Sequence, residues 1–164
     1  MTEPIHLSEH FTLDEAIESQ TAARLGIDNK PTDLNIITAA SKTAVKMEKV
    51  RVILGSKPIT ISSWIRVLEL NRAIGSGDGS QHVKGEAVDF ICPTFGTPLD
   101  ICKAIVENKT LIGFDQLILE HTWVHISWKS TPNAIQRGEV LSLLSDKSYA
   151  KGLTDKSGKP YPLN

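Results

Sequence analysis

The order of sequence patterns predicts an α+β fold, in which a mainly antiparallel sheet carries helices packed on one side. Residues 33–54 and 98–108 show apolar residues at the three- and four-residue spacing of amphipathic helices. The apolar runs PITISSWI and EAVDFIC have the length of strands. FDQLILE and WVHISW alternate apolar and polar residues on either side of HT, which predicts a hairpin and therefore an antiparallel strand pair.

The predicted helices have recognisable ends. In FTLDEAIES, Thr12 is the N-cap and Glu15, three residues later, completes a capping box. The next segment, LGIDNKPTDL, predicts a loop, and Gly55 stops the long helix that begins near Asp33. VLELNRAIGSGDGS predicts a short helical turn that leads into a flexible glycine-rich loop, and Thr97 caps the last helix.

The length and composition indicate one globular domain. We expect a single domain over residues 1–164, in which the segment from about residue 151 is a surface tail. The 18 basic and 19 acidic residues nearly balance and form no basic stripe, so nucleic acid is not an expected partner. We expect the protein to be a monomer.

Neither the cysteines nor the N-terminus indicates export. Cys92 and Cys102 are too few for a disulfide framework and lack the paired spacing of a thiolate zinc site, so they are expected to be buried and reduced. MTEPIHLSEHF contains no basic segment followed by an apolar core, and no apolar run reaches transmembrane length. We therefore expect cytoplasmic synthesis without an ordinary signal peptide and no membrane insertion.

The segment SQHVKGEAVDF carries a histidine and an aspartate seven residues apart. A buried carboxylate needs an ion pair, hydrogen bonds or a metal. His82 and Asp89 would be about 10.5 Å apart along a helix and on opposite faces of a single strand. A shared ion therefore requires a bend between them, and Gly85 tolerates the backbone angles of such a bend.

The predicted hairpin offers a third ligand. If its loop is centred on His121 and Thr122, Ile118 lies opposite His125. Glu120 then shares a face of the sheet with His125, with Cβ atoms within roughly 7–8 Å of each other. This spacing leaves room for a water between the carboxylate and a metal held by His125.

Two histidines and one aspartate leave a fourth tetrahedral position open, which is typical of a catalytic zinc. Zn²⁺ would lower the pKa of a bound water to about 7. Glu120 could accept the proton of this water and pass it to a leaving amine. Arg66, just after the predicted strand TISSWI, is the arginine placed to bind an oxyanion or a substrate carboxylate.

The same residues carry a family motif. SQHVKGEAVD matches S-x-H-x-x-G-x-A-x-D at every fixed position, and WVHIS supplies the later histidine. In these motifs the chain resembles the zinc D-Ala-D-Ala carboxypeptidase and L,D-endopeptidase family, which cuts peptidoglycan stem peptides, and especially its compact phage and prophage branch. For the histidine and aspartate alone, a hydrogen-bonded pair is the alternative interpretation; the complete motif favours a metal site.

The resemblance implies a hedgehog/DD-peptidase-like fold with a zinc site on the sheet. It assigns the zinc ligands to His82, Asp89 and His125. It makes Ser80 a supporting residue of the site and Arg66 the residue that engages a substrate carboxylate or carbonyl.

The chain departs from relatives at two places. Several relatives have Glu or Asp three residues before the last histidine, where this chain has Thr122. Glu120 is therefore the expected acid/base, with His121 and Trp123 as substrate-binding or supporting residues. SSWIR replaces the Ser-Gly-Tyr-Arg frequent in relatives, so that Trp64 and Ile65 are expected to reshape the rim of the pocket.

These observations predict a zinc metallopeptidase that hydrolyses peptidoglycan stem peptides as a carboxypeptidase or an endopeptidase. Such a phage or prophage enzyme would act on the cell wall after release or as part of a virion. A virion or tail-associated structural module that retains the fold is the alternative from another class. A cytoplasmic peptidase for free D-amino-acid dipeptides is a third.

Overall fold

The computed structural model describes residues 2–163. Within this range the helices are α1 (Leu13–Ile17), α2 (Gln20–Leu25), α3 (Leu34–Ile53), α4 (Leu68–Ile74), α5 (Pro98–Glu107) and α6 (Lys109–Ile112). The strands are β1 (Thr60–Ser63), β2 (Ala87–Ile91), β3 (Gln116–Leu119), β4 (Val124–Ser127), β5 (Glu139–Leu143) and β6 (Tyr149–Lys151). No helix in this range combines the length and apolar character needed to cross a bilayer.

The strands form one six-stranded sheet in the order β1-β2-β4-β3-β5-β6. Every pair of neighbours is antiparallel except β3 and β5, which run parallel. The predicted α+β fold with a mainly antiparallel sheet is therefore confirmed. The predicted hairpin register is also confirmed, because Ile118 lies opposite His125.

The two faces of the sheet have different roles. Successive side chains of a strand point to opposite faces, and one set of alternating positions forms the core with apolar residues of α1, α3 and α5. In β2, β3 and β4 this set comprises Val88, Phe90, Leu117, Leu119, Val124 and Ile126. Asp89 and His125 alternate with these residues and therefore point to the opposite face, which we call the site face.

The helix ends follow from local hydrogen bonds, as predicted. The Thr12 hydroxyl accepts a hydrogen bond from the backbone N–H of Glu15, and the Glu15 carboxylate accepts one from the backbone N–H of Thr12. These two bonds complete the capping box. The Asp33 side chain caps α3, and Gly55 adopts a positive φ of 70° just after that helix. Thr97 caps α5 in the same way as Thr12 caps α1.

The expected surface tail from about residue 151 is wrong at its beginning. Leu153 and Thr154 are 5% and 2% exposed, and Leu153 packs against the core. The backbone N–H of Thr154 donates to Ser142 Oγ at 2.9 Å, and that of Tyr161 donates to the Leu153 carbonyl. The buried Leu153 side chain and the pairing with β5 fix the segment. The many polar residues of the segment led to the expectation of an exposed tail.

Candidate active site

The bend predicted at Gly85 brings His82 to Asp89. Gly85 has a φ of 76°, and a Cβ there would lie 2.8 Å from the Ile36 carbonyl oxygen. The His82 carbonyl accepts from the N–H groups of Gly85 at 3.2 Å and Arg66 at 3.1 Å. Glycine is therefore required here both by its backbone angle and by the close approach of α3.

Asp89 lies between two imidazoles on the site face. It pairs directly with His125 across β2 and β4, and its Oδ1 lies 2.8 Å from His125 Nδ1. Its Oδ2 lies 3.3 Å from His82 Nε2. One ligand atom from each of the three residues lies within 4.8 Å of the other two. The structure thus brings the three predicted ligands together around one point.

The orientation of His82 is set by a buried tryptophan. His82 Nδ1–H donates to the Trp64 carbonyl at 2.8 Å, which leaves the Nε2 lone pair directed towards Asp89. The Trp64 indole N–H donates to the Gly85 carbonyl at 3.1 Å. Trp64 and Ile65 are 0% and 1% exposed, so the expectation that they reshape the pocket rim is wrong. Trp64 instead supports the bend between His82 and Asp89 from within the core.

The electrostatics favour the protonation states that a metal needs. Burial lowers the pKa of His82 despite the opposing charge of Asp89. Burial by itself would raise the pKa of Asp89, but the charges and hydrogen bonds of His82 and His125 outweigh it and hold that pKa well below its ordinary value. These directions favour a neutral His82 and an ionised Asp89, the forms of the two groups that bind a cation.

The donor set fits a zinc ion. Imidazole nitrogen and carboxylate oxygen are common zinc ligands, and three protein ligands are the usual number at a catalytic site. Two of the three groups, His82 and Asp89, are buried, while His125 is partly exposed. The candidate site is therefore buried at His82 and Asp89 and reaches the surface at His125.

Arg66 and Ser80 lie beside this cluster. Arg66 Nη2 is 3.4 Å from Asp89 Oδ2, and its Nε donates to Ser63 Oγ at 3.0 Å. The Arg66 side chain is 14% exposed, and burial lowers its pKa while Asp89 opposes this effect. Ser80 Oγ accepts from the backbone N–H of His82 at 3.3 Å and so supports the turn that carries this ligand.

Glu120 lies at the end of β3 on the site face. It follows Ile118 by two residues and therefore points to the same side as His125. The side chain is half-buried, and burial raises its pKa, while the His125 charge lowers it and the Asp89 charge raises it. This position and this pKa direction suit a group that exchanges protons near the cluster.

The hairpin turn is tied to β5. His121 has a φ of 66°, and its Nε2–H donates to the Leu143 carbonyl at 2.8 Å. The Glu120 N–H donates to the Trp123 carbonyl at 3.1 Å. Trp123 is 37% exposed and precedes His125 by two residues, which places it on the site face.

Two hollows lie near the cluster, and His125 lines the larger of them. A groove of about 980 Å³ includes Ser80, Gln116 and His125 in its lining. A second hollow of about 480 Å³ includes Ser63 and Arg66. The candidate ligand His125 is therefore accessible from the larger groove.

A comparison with family models decides the family. The model described as Peptidase M15 matches residues 9–127, which is more than half of the chain. The chain belongs to the Peptidase M15 family. It is accordingly a peptidase of a metallopeptidase family, and the three candidate ligands and Glu120 lie within the matched region. A search of curated proteins finds no match to the chain.

Two features near the site were missed by sequence reasoning. The first is the support that Trp64 gives to His82 and Gly85, for which the sequence contains no local signal. The second is the C-terminal strand pair, β5 and β6, which lies outside the family match and extends the site face. Alternation in GEVLSL is the one pattern that could have indicated β5.

Proposed function

We propose that this protein is a zinc-dependent peptidase that hydrolyses peptide bonds in peptidoglycan stem peptides, as a cell-wall lytic enzyme of the phage or prophage type. The observation that carries the proposal is the convergence of His82, Asp89 and His125 within 4.8 Å, beside Glu120, in a Peptidase M15 chain. The fit of the motif SQHVKGEAVD to the peptidoglycan-cutting relatives supports the substrate class.

The three ligands would hold the zinc ion. When bound there, Zn²⁺ supplies a Lewis acid that polarises a carbonyl and lowers the pKa of water to about 7. Ser80 and Trp64 keep His82 in its binding orientation through the contacts at its backbone N–H and its Nδ1.

Glu120 acts as the acid and base. Its carboxylate accepts a proton from the attacking water and then donates this proton to the departing amine. Because burial raises the pKa of Glu120, the carboxyl group can hold that proton long enough to deliver it. Thr122 cannot take this role, since a hydroxyl group is a much weaker base than a carboxylate.

Arg66 and Trp123 position the substrate. The Arg66 guanidinium lies beside the cluster and offers N–H donors to a substrate carbonyl or carboxylate. The exposed part of the Trp123 ring forms a surface against which the peptide can pack. His121 holds the hairpin turn through Leu143 and thereby fixes the position of Glu120.

Zymography on bacterial cell walls tests the proposal. The zinc-loaded protein is expected to clear the walls, a chelator to abolish clearing, and added zinc to restore it. Mass spectrometry of products from purified muropeptides then identifies the bond that is cut. The variant Asp89→Ala, which lacks a central ligand, serves as the control for contaminating hydrolases.

Two other outcomes would replace the proposal. Failure of the zinc-loaded protein to clear several wall types would favour a virion or tail-associated module that retains the fold. Hydrolysis of free D-Ala-D-Ala without cleavage of muropeptides would indicate a dipeptide peptidase instead.

A further inference from the structure

The C-terminal strands continue the site face beyond the region matched by the family model. That match ends at residue 127, whereas β5 and β6 occupy residues 139–151. These strands extend the sheet from β3, the strand that leads to Glu120. Side chains on one face of β5 and β6 are therefore neighbours of the candidate site.

The strand register identifies which side chains these are. Ile118 lies opposite His125 on the site face, and Leu141 lies beside Ile118 in the parallel pair. Leu143 follows Leu141 by two residues and shares its face, and Tyr149 lies opposite Leu143. Tyr149 is therefore on the site face.

By this register, Glu120 and Tyr149 lie on either side of Leu143 in one row across the sheet. Two strand spacings, roughly 10 Å, separate β6 from β3, and Leu143 lies between them. The bond from His121 to the Leu143 carbonyl brings the hairpin turn against the same end of β5. Tyr149 is thus on the Glu120 side of the cluster, two strands away from β3.

The electrostatics agree with this placement. Burial raises the pKa of the Tyr149 phenol, and the charges of Glu120 and Asp89 raise it further. Coulomb interactions fall with distance, so the phenol lies within the field of both carboxylates. Tyr149 is nevertheless 50% exposed, which leaves its hydroxyl accessible to a bound peptide.

We propose that Tyr149 binds the leaving-group portion of the substrate, through a hydrogen bond from its hydroxyl and packing of its ring. This inference rests on the proposed function, because it uses Glu120 as the group that protonates the departing amine. The departing portion must lie next to Glu120, on the side of the site where β5 and β6 are found. Arg66 lies beside Asp89 and just after β1, at the other end of the strand order from β6.

Product inhibition measures the binding of the two portions of the substrate separately. The stem-peptide substrate cleaved by the wild-type protein gives an acyl product and an amine product, and each is measured as an inhibitor. In Tyr149→Phe, the inhibition constant of the amine product is expected to rise about five- to tenfold, as for the loss of one hydrogen bond. In Tyr149→Ala it is expected to rise further, because the ring is also lost.

The acyl product supplies the internal control. Its inhibition constant is expected to change less than about twofold in the Tyr149 variants, because this product does not contact Tyr149. Tyr161→Phe is the matched variant, since it removes a phenol hydroxyl from the same C-terminal segment, where Tyr161 packs against the core. Tyr149→Phe retains the ring, so it tests the hydroxyl even if Tyr149→Ala fails to fold.

The possible failures are distinct. A wild-type protein that cleaves no stem peptide overturns the proposed function and this inference together. An active wild type whose Tyr149 variants show unchanged inhibition by the amine product overturns the role of Tyr149 alone. A change confined to the acyl product also overturns it, because the tyrosine would then contact the wrong portion.

Discussion

Two buried aspartates, Asp89 on β2 and Asp115 just before β3, have very different partners. Asp115, 0% exposed, accepts hydrogen bonds from Arg137 Nη2 at 2.8 Å, Arg137 Nε at 3.2 Å and the Arg137 backbone N–H at 2.9 Å. Asp89, 6% exposed, faces His82 and His125, while its one guanidinium contact, from Arg66, is longer at 3.4 Å. Both have a pKa held below its ordinary value, although burial would raise it.

The identity of the partners separates a structural aspartate from a candidate metal ligand. Arg137 is charged at all accessible pH values and satisfies Asp115 without any added ion. The imidazoles beside Asp89 are themselves metal donors, and burial favours the neutral form of His82. A buried carboxylate thus indicates a metal site here only because its nearest neighbours can also bind the metal.

Substitution of the two aspartates by asparagine should give opposite results and the largest effect. Asp89→Asn replaces an anionic ligand by a neutral amide, so we expect zinc affinity to fall at least about 100-fold and wall hydrolysis to be lost. Asp115→Asn, the matched control, should bind zinc as the wild type does but unfold at lower denaturant concentration. Calorimetry with zinc and urea unfolding measure the two properties. Equal zinc affinity of the wild type and Asp89→Asn would show that Asp89 is not a zinc ligand.

Glu120→Gln should separate metal binding from turnover. The amide cannot accept the proton of the attacking water, so we expect turnover to fall by about 10²–10⁴. Zinc affinity should stay within a few-fold of the wild type, since Glu120 is not among the converging ligands. Glu139→Gln neutralises another partly exposed carboxylate, on β5, and should retain activity. Turnover that survives in Glu120→Gln would show that another group is the base.

The parts of the site that sequence could predict are those with local signals. Residues 82–89 form a motif whose histidine and aspartate are seven residues apart. Neither a helix nor a single strand brings these two residues together, and glycine at position 85 allows the bend that does. Alternation around the hairpin correctly placed Ile118 opposite His125. Capping boxes at Thr12 and Thr97 likewise depend on residues three apart in the chain.

Partners distant in the chain could not be predicted in this way. The parallel pairing of β3 with β5 brings Asp115 and Arg137 into contact. Neither segment contains a sequence pattern that predicts this pairing. The carbonyl of Trp64 orients His82, but any buried residue could offer a carbonyl. The position of Tyr149 on the site face depends on the register of three strands. Tertiary packing, and not local propensity, decides each of these contacts.

Gly85→Ala tests the dependence of the Asp89 region on its bend. The positive φ and the 2.8 Å approach to the Ile36 carbonyl should cost about 2–3 kcal/mol of unfolding free energy. Displacement of His82 should also weaken zinc binding roughly tenfold. Gly75→Ala has a comparable φ of 85° with no atom within 4 Å, so it should cost about 1 kcal/mol and leave zinc binding unchanged. Equal zinc affinity in both variants would show that His82 is held independently of Gly85.

Arg137→Ala should give the smallest effect, and one that depends on pH. The variant leaves the buried Asp115 without the guanidinium of Arg137, at a cost of about 1–3 kcal/mol of unfolding free energy. The cost should be nearer the lower value, because the Arg137 side chain is 47% exposed and water screens the ion pair. Since the folded-state pKa of Asp115 lies below its ordinary 3.8, the ion pair stabilises the protein fully above that value. The difference in stability between wild type and variant should therefore be constant near neutral pH and shrink as the pH falls through about 4. Urea unfolding of both proteins at several pH values measures it, and a difference that persists at low pH would mean that Arg137 stabilises the fold by packing rather than by its charge.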